Sequence, residues 1–324
     1  MNSFLLYLAK PTYGGWVTFT AHLSLKYGLP INKISTRTEK RQRPYGYNVN
    51  YRNINIDSLK ELINMGNKPI ITAIDKNFYH ILDIIPDGST IVIHDPTEFN
   101  KKQKKIVLDN LSRLNVIVIR KTVQDLLLRD YSIQSTYKPH PYVSSLTKCN
   151  NKKGAISISR IDYDKNIEMI VKANALLTID KRVEIYGEPN ELYIYRKLKE
   201  YDHFNIKEPG TMYRGHFPKD FNVLSSLLCN KKYVVDCSTI HQDGGGTQYT
   251  FLEAIDAECI LILNKKWVNS SHSIWKDGVN CLAIDNHQDL VNLLTNETVN
   301  HKKIILESKK IMQFHEIVDW TDII

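Results

Sequence analysis

The sequence predicts an α/β protein of two doubly wound halves, each a parallel sheet with helices on both faces. Three observations carry this. Short β-branched and aliphatic runs alternate with stretches of helical periodicity from the N-terminus onward. At 324 residues the chain has the length of about two domains. The alternation also stops at a polar, Pro-stiffened break near the middle and then starts again.

In the first half, residues 4–8 read as a strand. Residues 17–26 read as a helix entered through Gly14-Gly15 and ended by Gly28. Residues 31–35 read as the second strand. Residues 58–65 read as a helix started by Asp57-Ser58 and closed by Gly66. A strand over 70–74, a short helix over 78–85 and a buried strand over 91–93 follow, the last running into His94-Asp95-Pro96. Residues 108–114 read as a helix and 116–119 as a strand. Lys138-Pro139-His140-Pro141-Tyr142 and the polar run from Cys149 to Gly154 make the break. In the second half, strands are expected over 155–159, 182–186, 211–214, 233–237 and 260–263. Helices are expected over 166–177, 191–201, 247–257 and 290–294, and a polar helical tail over 298–324.

Composition excludes several classes. Hydrophobic residues at 42% and charged residues at 24% fit a globular enzyme and rule out a disordered or fibrous chain. Nothing approaches 18 consecutive apolar residues, so no membrane span is expected, and the N-terminus reads as a strand because it lacks a basic leader region. Five cysteines, an odd number with no CxxC pair, predict neither a disulfide framework nor a zinc site, and point to a reducing, cytoplasmic setting. Charge is unevenly spread. Residues 1–153 hold 23 Lys+Arg against 11 Asp+Glu, a net +12, within a chain of net +8. A basic first half suits a polyanion or an anionic surface, although a Lys-rich solvated face would look the same.

Four segments could carry chemistry. Tyr13-Gly14-Gly15-Trp16-Val17-Thr18 joins the first strand to the first helix, where glycines let backbone N–H groups approach a phosphate. It is not GxGxxG, and no GxxxxGK[ST] occurs, so dinucleotide and P-loop readings lack support. Arg160 and Lys165 lie on one strand-to-helix turn, where a planar fork and a mobile point charge suit a diphosphate; two surface cations beside Asp162 and Asp164 are the competing reading. Asp243-Gly244-Gly245-Gly246-Thr247 precedes a helix carrying Glu253, whose two acceptor oxygens can take both hydroxyls of a ribose. His94-Asp95 follows a buried strand and could meet sugar hydroxyls and developing positive charge, although Asp before Pro is also a common turn.

Together these residues resemble a family. Ser159-Arg160-Ile161-Asp162, Lys165-Asn166-Ile167-Glu168, Val183-Glu184-Ile185-Tyr186-Gly187, Tyr213-Arg214-Gly215 and Thr250-Phe251-Leu252-Glu253-Ala254 are similar in order and spacing to the C-terminal half of retaining GT-B glycosyltransferases of the glycogen-synthase-like clan. The resemblance implies the GT-B fold, two Rossmann-like domains with a cleft between them. It also implies a nucleotide-diphosphate sugar as donor, with no cofactor and no metal. By residue-wise transfer Arg160 and Lys165 hold the diphosphate and Glu253 the ribose, with Gly14, Gly15, Tyr186, Gly187, Gly244, Gly246 and Thr247 beside the donor. The family carries a second Glu eight residues before this one; here that position is Gly245, with Asp243 two residues earlier.

A narrower similarity is to the phage DNA α-glucosyltransferases that modify 5-hydroxymethylcytosine. It rests on Gly14-Gly15-Trp16-Val17-Thr18, His94-Asp95, Asp236-Cys237 and Tyr249-Thr250-Phe251-Leu252-Glu253. It implies Asp95 and His94 as catalytic residues, a UDP-glucose or UDP-arabinose donor, and a hydroxymethylated pyrimidine in duplex DNA as acceptor, in the host cytoplasm. On this reading residues 1–150 bind the acceptor, 151–300 bind the nucleotide sugar, and 301–324 form a helix packing back toward the first domain. The DNA-binding candidates are Arg37, Lys40, Arg41 and Arg43, in a basic–aromatic loop over 37–52 with Arg52, Tyr45, Tyr47 and Tyr51, together with Lys101 and Lys102 in a second basic run. A saccharide or lipid acceptor at an anionic membrane surface is the alternative, with no stable membrane insertion. Sequence does not set the oligomeric state.

Overall fold

The computed structural model describes residues 3–11, 14–34, 49, 51–95, 105–201, 212–217, 220–240, 246–296 and 300–324. The described chain divides into two compact units. One takes the residues up to Val143 together with Phe314–Ile324, and the other those from Ser144 to Gln313.

The first unit holds strands β1 (Ser3–Leu8), β2 (Ile31–Ile34), β3 (Tyr51–Ile54), β4 (Lys68–Ile74), β5 (Thr90–Ile93), β6 (Asn115–Val118) and β7 (Thr136–Tyr137). All pair in parallel, in the order β3-β2-β1-β4-β5-β6-β7. Central strands covered on both faces must be apolar throughout, and Leu5, Leu6, Tyr7 and Leu8 are fully buried. The connecting helices are α1 (Gly15–Tyr27), α2 (Ile56–Asn64), α3 (Lys105–Leu111) and α4 (Lys121–Tyr131). The predicted helix over 78–85 is a 3₁₀ helix, Tyr79–Ile84.

Two expectations are corrected in this unit, and one helix, α4, is added to them. The basic–aromatic segment was expected to be loop through residue 52, but Tyr51 and Arg52 belong to β3, an edge strand in register with β2. Aromatic and β-branched residues suit an edge strand even where cations interrupt them. α4 carries no glycine stop signal; Ser132 ends it in the left-handed region at φ 55°, and Val123, Leu126 and Leu127 turn toward the core. α3 begins three residues earlier than the predicted 108.

The second unit holds β8 (Ala155–Ile158), α5 (Ile167–Leu176), β9 (Val183–Tyr186), α6 (Glu191–Tyr193), α7 (Phe221–Cys229), β10 (Tyr233–Asp236), α8 (Tyr249–Asp256), β11 (Ile260–Asn264), α9 (Lys265–Val268), β12 (Leu282–Ile284), α10 (His287–Thr295) and α11 (His301–Ile317) as far as Gln313, the residues of α11 from Phe314 on belonging to the first unit. α6 continues as one π turn, Ile194–Leu198. The sheet is again parallel, in the order β12-β11-β10-β8-β9. The predicted strand over 211–214 reduces, in its described part, to a single bridge between Tyr213 and Ile185. The absence of a disulfide is also corrected: Cys149 pairs with Cys229 at a Cα separation of 5.1 Å. Counting cysteines could not reveal this, because the partners are 80 residues apart and only the packing of α7 beside the 144–149 segment brings them together. That segment is held by Asp256, whose carboxylate accepts from the Ser144 hydroxyl and from the N–H groups of Ser145 (2.9 Å) and Leu146 (3.0 Å).

The chain's last residues complete the first unit's core. Trp320 is fully buried, edge-on to Phe19 at 5.4 Å, and its backbone N–H donates to the Tyr27 hydroxyl at 2.9 Å. Lys26 Nζ donates to the carbonyls of Glu316 and Val318.

Four histidines are buried in the same unit: His22, His94, His140 and His315. Val143 N–H donates to His22 Nδ1 at 3.1 Å, and the His315 Nδ1 bonds the His140 carbonyl at 2.9 Å. Burial pushes His22 down to about 3, and His94 and His315 to about 4; it also holds His140 well below its usual value, with the charge of His315 adding to the effect. These rings are neutral when folded and charge readily when unfolded, near pH 6.5. Their contribution to stability is therefore complete above about pH 6.5 and is lost as pH falls toward 4, at roughly 1.4 kcal/mol per pH unit for each ring. Melting temperature is expected to fall steeply between pH 6 and pH 4.5. A flat profile over that range would show that the rings take up protons without unfolding.

Candidate functional site

In parallel sheets ligands bind beyond the carboxyl ends of the strands, where the strand order reverses. In the second unit that point lies between β8 and β10, and in the first between β1 and β4.

At the β8 end, Ser159 and Arg160 leave the sheet and Asp162 caps a 3₁₀ turn, Tyr163–Lys165, by accepting from Tyr163 N–H at 2.8 Å. Asn166, in the left-handed region at φ 49°, then opens α5. Arg160 Nη2 lies 3.1 Å from Asp164 Oδ2 and Nη1 3.4 Å from Asp162 Oδ2, while Lys165 Nζ lies 3.7 Å from Asp164 Oδ2. The structure thus brings the two predicted cations onto one carboxylate. The Arg160 side chain is 61% exposed, so these pairs are weak and open to exchange for a diphosphate. The Asp164 carbonyl accepts from Thr239 N–H at 2.9 Å, which ties this turn to the segment leaving β10.

Tyr186 and Gly187 end β9 alongside. Tyr186 carbonyl accepts from Ser159 N–H at 3.1 Å, and burial raises the Tyr186 hydroxyl above its ordinary range. A Cβ on Gly187 would sit inside the Ser159 carbonyl oxygen, so glycine is needed here for close approach of the two strand ends. The Gly187 carbonyl accepts from the Tyr213 hydroxyl at 2.9 Å. Tyr213-Arg214-Gly215 therefore supports this corner from the side.

Beyond β10, Asp236 accepts from Ser238 N–H at 2.8 Å. Gly246 (φ 91°) and the buried Thr247 lead into α8, which begins at Tyr249, two residues later than predicted. Glu253 is buried in the second turn of α8, and its charge together with burial holds the Tyr249 hydroxyl well above its usual value. Asp243, Gly244 and Gly245 lie outside the described residues, as do Arg37, Lys40, Arg41, Arg43, Lys101 and Lys102.

In the first unit Gly14 stands at φ 96° as the N-cap of α1, a conformation that requires glycine; Gly15 is the first helical residue and has open space around it. Among the described residues no side chain caps this helix start. Sequence reading missed Asp75, at the end of β4. Its carboxylate accepts from Lys10 N–H (2.7 Å) and Asn77 N–H (2.8 Å), and its own N–H donates to the Leu8 carbonyl at 2.9 Å. The turns after β1 and β4 are thereby laced together at the switch point. His94 is buried against Phe19, with ring centroids 4.9 Å apart, and its Nε2 bonds the Thr72 carbonyl at 2.8 Å. A carbonyl only accepts, so Nε2 carries the proton and Nδ1 is the acceptor. Asp95 follows, half-buried, at the carboxyl end of β5.

Among the described residues, no group of three or more His, Cys, Asp or Glu is placed to hold a metal ion, and no helix is long and apolar enough to cross a membrane.

No protein-family model matches the chain, and no protein of curated function matches its sequence. Solved structures do resemble it. The Anabaena protein HepE in complex with UDP and glucose superposes with a TM-score of 0.70 at 12% identity, over 95% of this chain and 94% of that one. An α-glucosyltransferase in complex with UDP gives 0.69 at 13%, over 97% and 95%. A glycosyltransferase from Rickettsia africae gives 0.65 at 12%, over 97% and 93%. At such identities the likeness speaks to architecture alone. The two parallel-sheet units of this chain are those of the GT-B fold.

Proposed function

We propose that the chain is a retaining glycosyltransferase that moves a sugar, glucose or arabinose, from a UDP-sugar to a hydroxymethylated pyrimidine in duplex DNA. The observation that carries the transferase reading is the pair Arg160 and Lys165, gathered on one turn at the β8/β10 switch point with Glu253 buried on the helix that follows β10. HepE and the α-glucosyltransferase, which share this architecture, were solved with UDP.

In this mechanism Glu253 accepts from the ribose hydroxyls, and the cations stabilise the negative charge that grows on the diphosphate as the glycosidic bond breaks. Departure leaves an oxocarbenium-like sugar. A phosphate oxygen of the leaving group takes the proton of the acceptor hydroxyl, which attacks on the same face. Asp95 orients that hydroxyl, and His94 Nδ1 accepts from a sugar hydroxyl. Arg160 and Lys165 supply the charge a metal would otherwise bring, so no metal and no cofactor take part.

The basic first half supports the choice of DNA. A hydroxymethyl group on a stacked base is out of reach, so the target nucleotide is extruded, while phosphate contacts come from Arg37, Lys40, Arg41, Arg43, Lys101 and Lys102. The test is UDP release from a panel of UDP-sugars with and without hydroxymethylated duplex, alongside duplex affinity across a salt series. Release should depend on the modified duplex. Replacing Arg37, Lys40, Arg41 and Arg43 by Ala should lower the salt slope by about one per lost phosphate contact. A flat wild-type slope, or binding to anionic vesicles with none to DNA, would favour the saccharide or lipid acceptor.

A further inference from the structure

Two buried tryptophans hold the polypeptide on both sides of the segment that leads from β10 to α8. Trp267, on α9, donates its Nε1–H to the Ser238 carbonyl at 3.0 Å. Trp275 donates its Nε1–H to the Gly246 carbonyl at 2.7 Å. Both indoles are 1% exposed and both pack edge-on against Phe251 of α8, at centroid distances of 5.1 Å and 5.4 Å. Phe251 lies two residues before Glu253 in the chain. The two tryptophans are also tied to each other. Ser273 Oγ donates to the Trp267 carbonyl at 2.7 Å and accepts from Trp275 N–H at 3.1 Å. Asn280 fixes the Trp275 segment in turn, donating to the Ile274 carbonyl and accepting from Lys276 N–H.

Indole is a large apolar group with a single donor, and here both donors are spent on carbonyls at the two ends of one connection. Gly246, at φ 91°, cannot hold its own conformation, because a glycine there pays the largest backbone entropy to be ordered. We infer that Trp267 and Trp275 are positioning residues for the donor site: they set Gly246, Thr247 and the start of α8 so that Glu253 meets the ribose without reordering. This rests on the donor-site reading given above.

The experiment is calorimetric titration with UDP of the wild-type chain, of Trp267→Phe and Trp275→Phe, and of Trp320→Phe as a control for loss of a buried indole elsewhere. The Phe variants keep an aromatic ring beside Phe251 but lose the N–H together with part of the buried indole, and Trp320→Phe reproduces that loss of buried ring elsewhere. Without the N–H the freed carbonyl turns to water and must be recaptured on binding, so each is expected to weaken UDP about tenfold. In turnover the KM for the UDP-sugar should rise by a similar factor while kcat changes less than threefold; Trp320→Phe should lower the melting temperature and leave both constants in place. A second measurement does not depend on those variants folding. In a Trp16→Phe, Trp320→Phe background the only indoles are Trp267 and Trp275, and their emission should change on UDP binding. Wild-type binding with unaltered affinity in both Phe variants, or with unaltered emission in that background, overturns the positioning role alone. No UDP binding by the wild type overturns the donor-site reading and the positioning role with it.

Discussion

Arg160→Ala and Lys165→Ala are each expected to cut turnover by about a hundredfold or more with the fold intact. The charge on a departing diphosphate develops in the transition state, and one pre-placed donor facing such charge is worth roughly 3 kcal/mol. Arg160 is exposed on its turn, and among the described residues Lys165 pairs with Asp164 at the same turn, so both substitutions remove a charge at a turn and leave the sheet core unchanged. Arg160→Lys should recover little, because a point charge does not replace the planar fork. The measurement is steady-state kinetics with the UDP-sugar, beside melting curves. Full activity in both Ala variants would remove the transferase assignment. EDTA should leave the wild-type rate unchanged; a strict Mg²⁺ requirement would assign the diphosphate charge to a metal instead.

The second large effect is expected at Asp95. Asp95→Ala should abolish transfer and leave UDP affinity at the wild-type value, because Asp95 stands at the end of β5 in the first unit, whereas Arg160, Lys165 and Glu253, the proposed diphosphate and ribose contacts, stand in the second. Asp95→Asn keeps the shape and separates a charge requirement from a steric one. Calorimetry with UDP and transfer assays with the acceptor give the two readouts. A near-normal rate in Asp95→Ala would move the role elsewhere, first to Asp243.

How far the site could be read from the chain differs from residue to residue. Arg160, Lys165 and Glu253 stand out because their setting is local: a strand, then a short turn, then a helix, with glycines where backbones approach. Gly187 was legible only as part of the motif, since its need for glycine comes from the Ser159 carbonyl that the sheet brings beside it. Asp75 carried no such sign. An Asp-Lys-Asn after a strand is an ordinary turn, and its bond to Lys10 links residues 65 apart. Arg160 was legible as a cation with acidic neighbours, and the structure gives the pairing itself, with Asp162 and Asp164.

By itself the sequence determined the alternation of strand and helix, the place where the pattern restarts, and therefore two parallel α/β halves. Those properties follow from side-chain periodicity and turn chemistry within a few residues. Only the tertiary structure decided the strand orders, the edge strand Tyr51–Ile54, the pairing of Cys149 with Cys229, and the capture of Ser238 and Gly246 by Trp267 and Trp275. In each of the last two, the partners are tens of residues apart and carry no shared local pattern. What joins them is the free energy of burying apolar surface and satisfying every buried donor and acceptor at once, a condition set by the whole fold.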